Sequence, residues 1–136
     1  MSEKKKNNLL NIALWAAQIL LAGMFILAGA MKSFQPIATL EESLPWVANT
    51  PSIVVRFIGI SELLGGIGLL LPSILRIRSQ LTGYAALGLV LVMLFAFVFH
   101  LSRGEYSSLG VNVVTGLLAG FIAWGRLKKV PIHPRS

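Results

Sequence analysis

Four runs of apolar residues, each about as long as the roughly 20 residues that a helix needs to cross a bilayer, constrain the fold most strongly. They cover residues 12–31, 53–71, 81–101 and 109–127. The 136-residue chain is 55% hydrophobic and only 12% charged, which is too apolar for an ordinary soluble domain. The sequence shows no period-2 alternation that would favour β-barrel strands. We therefore predict an all-α, four-transmembrane-helix bundle that forms one membrane domain over residues 1–136.

The lysines and arginines that flank the spans are distributed unequally between the two sides of the membrane. Nine of them lie on the side of the N-terminus, the second connection and the C-terminal tail, and three lie on the other side. Because positively charged flanking segments stay in the cytoplasm, we expect both termini to be cytoplasmic. The same asymmetry accounts for the net charge of +7, so no nucleic-acid partner is expected. The nine are Lys4, Lys5, Lys6, Arg76, Arg78, Arg126, Lys128, Lys129 and Arg135, and the three are Lys32, Arg56 and Arg103.

The connection between the first and second spans, residues 32–52, has the pattern of a short amphipathic helix. Ile37, Leu40 and Leu44 recur at roughly helical spacing, and Pro36 stands near the first turn. This segment either lies on the outer membrane surface or covers the outer mouth of the bundle as a lid.

The first span also has two features of a secretory signal peptide, a basic start at residues 4–6 and the small residues 28–30. Its apolar run is longer than the roughly 7 to 15 residues of a signal-peptide core. We therefore expect it to be retained as a transmembrane helix.

Glu62 is the most informative polar residue, because an ionisable side chain inside a span costs about 2.5 to 3.5 kcal/mol and needs a reason to be there. Depth matching across antiparallel helices places it level with Gly23, Met93 and Ala119, without a cation at that level. We therefore predict that Glu62 is largely neutral and donates a hydrogen bond. Two roles remain open: a proton carrier inside the membrane, or a hydrogen bond that holds the bundle together.

A second group of polar residues closes three successive spans at their outer ends. Lys32, Arg56 and His100 form a candidate site for an anionic or quinoid headgroup, and Gln18 is a further candidate binding residue inside the first span. The alternative is that Lys32 and Arg56 extend to the interface as anchors and that His100 makes a local hydrogen bond.

Metal and haem sites are not expected. The chain has no cysteine, which excludes thiolate metal sites and cysteine-ligated iron–sulfur clusters. His100 is the one histidine in or near a span, since His133 lies in the tail. The sequence therefore offers no ligand cluster for a metal.

The fourth span contains the pair Gly116-x-x-x-Gly120, a spacing that lets two helix backbones approach closely. We expect this face to pack against a neighbouring span or against a second copy of the chain.

The second span, Arg56-Phe-Ile-Gly59-Ile-Ser-Glu62-Leu-Leu-Gly65-Gly66-Ile-Gly68-Leu-Leu-Leu-Pro72, resembles the signature of DoxX-like membrane proteins. The pattern is an arginine, spaced glycines, a glutamate, a leucine run and a proline. Gly23, Gly29 and Lys32 in the first span and His100 at the end of the third are similar to the same family, so the resemblance covers about residues 11–127.

This resemblance implies a four-helix protein of the bacterial cytoplasmic (inner) membrane. Some relatives look like subunits of thiosulfate:quinone oxidoreductases, and others associate with redox or oxidative-stress enzymes. By position, Arg56 and Glu62 would be the intramembrane polar pair, with Lys32 and His100 as partners at the outer end. The chain carries no cysteine, so we expect no thiosulfate chemistry from this chain alone.

Two functions of different classes follow. The first is an accessory or quinone-interacting subunit of a membrane redox system, an oxidoreductase component that needs quinone and a partner protein. Its proton carrier would be Glu62 and its headgroup site Lys32, Arg56 and His100. The second is a non-enzymatic scaffold or assembly factor, and a small transporter or lipid-binding protein is a further alternative. An elongated apolar cavity that ends at Glu62 or His100 favours a quinone or lipid ligand, whereas a tight bundle favours the scaffold.

Overall fold

The computed structural model describes residues 2–133, and all the regular structure in this range is helical. The helices are α1 (Glu3–Phe34), α2 (Ile37–Ser43), α3 (Ser52–Leu75), α4 (Gln80–Ser102) and α5 (Leu109–Trp124). Short 3₁₀ turns occupy Pro45–Asn49 and Tyr106–Ser108, and a π-helical turn, Gly125–Lys129, extends α5. The regions of α1, α3, α4 and α5 are long and apolar enough to cross a bilayer, which confirms the predicted four-helix architecture. Arg135, which contributed to the charge asymmetry, lies outside the described residues.

α1 is longer than its apolar run, because its polar start is also helical. Ser2 is the N-cap, and its Oγ accepts a hydrogen bond from the Lys5 backbone N–H at 3.2 Å. At 1.5 Å per residue, the 32 residues of α1 exceed the hydrocarbon thickness of about 30 Å. The N-terminal turns of α1 therefore extend beyond the span predicted from hydropathy.

α3 extends beyond the predicted end of the second span at Leu71, because it continues through Pro72 to Leu75. Ser73 lies on this last turn and is buried, and its Oγ is 2.6 Å from Thr82 Oγ1 of α4. This interhelical hydrogen bond holds the turn in place although Pro72 cannot donate a backbone hydrogen bond. α3 ends only at Arg76, whose φ of 54° is left-handed.

α1 packs chiefly against α3, and α4 packs chiefly against α5, so the bundle consists of two tightly packed pairs. α3 and α4 join the pairs along a third contact, whereas α1 and α5 touch much less. The central core between them is apolar and includes Leu21, Phe25, Leu69, Leu89 and Ile122.

Glycines bring the backbones of α1 and α3 into direct contact. A Cβ added to Gly59 would lie 2.6 Å from Lys32 Cβ and 2.7 Å from the Ser33 backbone nitrogen, which is closer than atoms can approach. A Cβ added to Gly66 would lie 3.1 Å from the Ala22 carbonyl oxygen. The glycines of the second span therefore allow α3 to pack closely on α1, and this packing fixes the register of the two helices.

The connection between α1 and α3 folds back onto the bundle. Leu40 of α2 and Val47 of the following 3₁₀ turn are buried together with Val55 of α3. We call this end of the bundle, formed by residues 32–52 and 103–108, the loop end. The opposite end, formed by residues 2–11, 76–79 and 125–133, is called the termini end.

Candidate ligand cavity at the loop end

The loop end contains an ion pair between the first two long helices. Lys32 Nζ of α1 donates to Glu62 Oε1 of α3 at 2.6 Å, and the two side chains are only 15% and 4% exposed. The ammonium group of Lys32 also lies 5.8 Å from the centre of the Trp46 ring. Lys32 therefore lies between a buried carboxylate and an aromatic face, and both attract its ammonium group.

The prediction that no cation lies at the level of Glu62 is wrong. The argument for a neutral Glu62 depended on that prediction and no longer holds. The depth match with Gly23 aligned the spans by their apolar boundaries. In the structure the glycine contacts set the register instead, so Gly29 faces Leu63 and Gly59 faces Lys32. Because a lysine side chain extends over several ångströms, Lys32 reaches Glu62 from the next turn.

Arg56, the second cation predicted for the headgroup site, has another set of partners. Its Nη1 donates to the carbonyl oxygens of Lys32 at 3.0 Å and of Gln35 at 2.6 Å. These carbonyls belong to the C-terminal end of α1, where a cation is favoured by the helix dipole. Arg56 thus caps α1, and it does not line the cavity described below.

His100 lies at the loop end of α4 and is 8% exposed. Its Nδ1 is 3.1 Å from Glu105 Oε1 in the connection to α5. Because an ionised carboxylate only accepts hydrogen bonds, Nδ1 is the protonated nitrogen. Nε2 has no partner among residues 2–133, so it is free to accept from a ligand when the ring is neutral.

Lys32, Glu62 and His100 line a cavity of about 440 Å³ between the two helix pairs. Its polar lining consists of Lys32, Trp46, Ser61, Glu62, His100, Asn112 and Thr115. Its apolar lining consists of Met24, Phe25, Ala28, Val54, Phe57, Ile58, Val92, Met93, Phe95, Ala96, Phe99 and Val111. Phe57 and Phe95 are 70% and 71% exposed, so the cavity reaches the lipid-facing surface. A cavity of this size and composition suits a lipophilic molecule with a small polar head.

Trp46 covers the cavity from the first connection. Its ring makes edge-to-face contacts with Phe99 and His100, with ring centres 6.2 Å and 5.9 Å apart. In this segment α2 packs on the bundle through Leu40, and Trp46 of the turn after it lines the cavity, as the lid alternative predicts.

Asn112 of α5 lines the cavity from the opposite wall and has an unusual environment. The residue is 9% exposed, and its Nδ2 is buried without a hydrogen-bond partner within the described residues. An unpaired buried amide costs about 1 to 3 kcal/mol, so this residue has unused hydrogen-bonding capacity where the cavity passes it. Sequence reasoning missed Asn112, although it is the one asparagine within the predicted spans.

Gln18 lies far from the cavity, in a polar network at the termini end. Its Oε1 accepts from Arg126 Nε at 2.6 Å, and its Nε2 donates to the Leu69 carbonyl at 2.7 Å and to Ser73 Oγ at 3.3 Å. Arg126 Nη1 donates to Asn11 Oδ1 at 2.7 Å and to the Val130 carbonyl at 2.9 Å. This network links the start of α1, the end of α3 and the end of α5.

Arg126 was counted among the cations of the C-terminal tail, but it is only 3% exposed. It continues the buried face of α5, which recurs at residues 112, 115, 119 and 122. That spacing of three and four residues was the available signal, since the next position in it is 126. Its guanidinium hydrogen-bonds only to neutral groups within the described residues, and its buried Nη2 has no partner there.

The Gly116-x-x-x-Gly120 pair faces α4 of the same chain. A Cβ added to Gly116 would lie 3.5 Å from Met93 Cβ, and one added to Gly120 would lie 4.0 Å from Val90 Cγ2. Of the two expected uses of this face, the structure shows packing against a neighbouring span.

Within residues 2–133, no group of three or more histidine, cysteine or acidic side chains has a metal-binding arrangement. The polar groups that line the cavity are the ion pair, the imidazole, the Asn112 amide, the Trp46 indole and the hydroxyl groups of Ser61 and Thr115.

The profile of the DoxX-like family matches residues 16–122, which include the second and third spanning regions and most of the first and fourth predicted spans. The chain belongs to the DoxX-like family. No curated protein and no solved structure matches it. As a DoxX-like protein with four long apolar helices, it is a multi-pass membrane protein.

Proposed function

We propose that this DoxX-like protein is a quinone-interacting accessory subunit of a membrane redox system, and that the loop-end cavity holds the quinone headgroup. The observation that carries the proposal is the mainly apolar cavity of about 440 Å³ that Lys32, Glu62 and His100 line. A quinone ring is flat and apolar with oxygen atoms at its edge, so it needs an apolar slot with a few polar groups.

The polar groups fit both oxidation states of such a ring. Lys32 is an ammonium group with three N–H donors, and a carbonyl oxygen of a quinone can accept from it. His100 Nε2 can accept from a hydroxyl group of a quinol, while Glu105 holds the ring through Nδ1. Proton exchange with the ligand would then involve His100 and Glu62, whose carboxylate is paired with Lys32. Interconversion of quinone and quinol takes two electrons, and in this proposal a partner protein supplies or accepts them.

The orientation proposed from the charge asymmetry puts the loop end on the outer side of the bacterial cytoplasmic membrane. Both termini and the Arg126 network then lie on the cytoplasmic side. In this arrangement the cavity takes up its ligand from the outer half of the bilayer.

The test is native mass spectrometry with lipid extraction of the protein purified in mild detergent, comparing the wild type with Glu62→Gln and Lys32→Met. Glu41→Gln is the matched control, because Glu41 is an exposed acid of α2 outside the cavity. We expect a quinone to co-purify with the wild type and with Glu41→Gln and to be lost from both cavity variants. No quinone on the wild type, or equal occupancy in all four proteins, would contradict the proposal.

A scaffold or assembly role is the second candidate, and one observation favours it. The Arg126 network ties three helices together through neutral partners and lies outside the cavity, so part of the intramembrane polarity serves the bundle alone. If the extraction finds no ligand while all variants fold, affinity capture of partner proteins becomes the next experiment.

A further inference from the structure

A second, shallower groove of about 340 Å³ runs between α4 and α5 on the outside of the bundle. It is almost entirely apolar, and Leu117, which lines it, is 70% exposed. In a membrane this groove therefore faces lipid chains. Gly116 lies in the groove and contributes no side chain to fill it.

The groove and the cavity share a wall. Met93 of α4 and Asn112 of α5 line both of them, so a single layer of side chains separates the headgroup site from the lipid-facing groove. Met93 is unbranched and has three rotatable bonds, which makes it one of the most adaptable side chains in a packed core. The other member of the wall, Asn112, carries the buried amide nitrogen without a partner.

We propose that the cavity and the groove are two parts of one binding site, with the polar head of the ligand in the cavity and its hydrocarbon chain in the α4–α5 groove. The chain passes the wall beside Met93. Asn112 marks the junction, where its amide bonds to the oxygen of the head that lies next to the chain. This inference rests on the proposed function, and it specifies the ligand as an amphiphile with oxygens on two sides of its head and a long hydrocarbon chain.

The placement of the hydrogen-bonding groups around the cavity supports a ligand head with two oxygen atoms rather than one. Lys32, Glu62 and His100 belong to α1, α3 and α4, whereas Asn112 approaches from α5. Rotation of the Asn112 amide by half a turn exchanges its oxygen and nitrogen, so the residue can serve either a carbonyl or a hydroxyl. A head that engages only the ion pair and the histidine would leave this amide unpaired.

The experiment compares probes that share a head and differ in chain. Binding to purified wild-type protein in one detergent is measured for a benzoquinone and a naphthoquinone, each in two forms. One form carries a methyl group and the other carries a chain of several isoprene units. Each variant is compared with the wild type for the same probe, so the partition of the probe into detergent cancels.

Gly116→Leu is the test variant, because it fills the groove without adding a group to the headgroup site. We expect it to weaken binding of the long-chain form about tenfold, the equivalent of removing contacts with roughly two methylene groups. Binding of the methyl form should change less than about twofold, since it does not use the groove. Val113→Phe also fills the groove, so it should likewise weaken binding of the long-chain form and leave binding of the methyl form nearly unchanged. The same result in both variants would show that the effect does not come from a packing defect specific to Gly116.

Gly110→Leu is the matched control on the same helix. Gly110 is exposed, an added Cβ there meets nothing within 4 Å, and the residue lines neither the cavity nor the groove. It should leave binding of both forms unchanged.

The outcomes separate this inference from the proposed function. One outcome is that the wild type binds the methyl form, that Glu62→Gln does not, and that Gly116→Leu and Val113→Phe bind the long-chain form as well as the wild type. This outcome supports the headgroup site in the cavity and contradicts the placement of the chain in the groove. The chain would then leave between α3 and α4, past the exposed Phe57 and Phe95. If neither form of either ring binds, the proposed function and this inference fail together.

Discussion

The two ends of the bundle bury similar polar groups in different surroundings. At the termini end, Arg126 and Gln18 bond to each other and to neighbouring helices, and neither residue lines the cavity or the groove. At the loop end, Lys32 and Glu62 also bond to each other, yet both line a cavity of about 440 Å³. His100 Nε2 and the Asn112 amide nitrogen have no partner among the described residues, and neither does Arg126 Nη2 at the termini end, but only His100 and Asn112 line the cavity.

This comparison shows why a buried polar residue is not by itself a binding site. A polar network that joins helices holds a structure together, and its removal is expected to lower stability. A polar group that borders open space and keeps unused hydrogen-bonding capacity can act on a ligand. The two ends should therefore respond differently to substitution, and four predictions test that difference.

The largest effect on stability is expected from Gln18→Leu at the termini end. The substitution removes the acceptor of Arg126 Nε and the donor to the Leu69 carbonyl. We expect the free energy of unfolding, measured by detergent titration in mixed micelles, to fall by about 3 kcal/mol, because charged and neutral groups are left unpaired. Ligand occupancy of the folded protein should not change. Gln80→Leu, at an exposed position, is the control and should stay within about 0.5 kcal/mol of the wild type. Equal losses for the two variants would remove the structural role assigned to this end.

The ion pair at the loop end should be less important for stability than for binding. Lys32→Met leaves Glu62 buried without its cation, and we expect a loss of about 2 kcal/mol. The double variant Lys32→Met with Glu62→Leu should recover to within about 1 kcal/mol of the wild type, because an apolar pair replaces the ion pair. Both proteins should lack the ligand. A stable double variant that keeps its ligand would break the comparison between the ends.

Arg56 provides a test inside the loop end, because its partners are carbonyl groups of α1. Arg56→Gln should lower the free energy of unfolding by about 1 kcal/mol through loss of the charged cap on α1. The affinity for the methyl-substituted quinone should stay the same. Lys5→Gln, an exposed change of the same charge, is the stability control. Loss of quinone binding in Arg56→Gln would restore Arg56 to the headgroup site predicted from the sequence.

The smallest stability effect is expected for Glu105→Ala, which removes the partner of His100 Nδ1. Glu105 is about a quarter exposed, so stability should change by less than about 0.5 kcal/mol. Quinone affinity should fall about fivefold, because the imidazole is no longer held in one orientation and tautomer. Glu42→Ala is the control, because Glu42 is an exposed acid at the loop end, and it should change neither the stability nor the quinone affinity. An unchanged affinity in Glu105→Ala would exclude His100 as an oriented partner of the head.

The number and type of the spans could be predicted because they depend on hydropathy over about 20 residues, a property each segment carries by itself. The amphipathic segment after the first span was also predictable, since Pro36, Leu40 and Leu44 set its start and its apolar face. The end of α3 was not, because the turn after Pro72 is held by Ser73 through a partner on another helix. The extended start of α1 followed from the cap at Ser2, a signal that hydropathy does not include.

The sequence predicted part of the candidate site, and the part that it missed depends on the register between α1 and α3. The sequence identified Lys32, Glu62 and His100, all of which line the cavity. The sequence did not predict the pair between Lys32 and Glu62. This contact depends on the register of α1 and α3, which is set by the close approach of Gly59 to α1 and cannot be read from either helix alone. Gln18 and Arg56 were included because they are polar residues in spans, and only their partners show that they lie outside the cavity.

The division into two tightly packed helix pairs affects how the cavity can change shape. Lys32 and Glu62 belong to α1 and α3, whose backbones meet at Gly59 and Gly66, so the charged pair lies within one closely packed half of the protein. His100 and Asn112 belong to α4 and α5, the other half. A small separation of the halves would admit a ligand while the ammonium and carboxylate stay together. Such breathing motion would not expose an isolated charge to lipid, and exchange of the ligand would be independent of the electrostatic cost of breaking the pair.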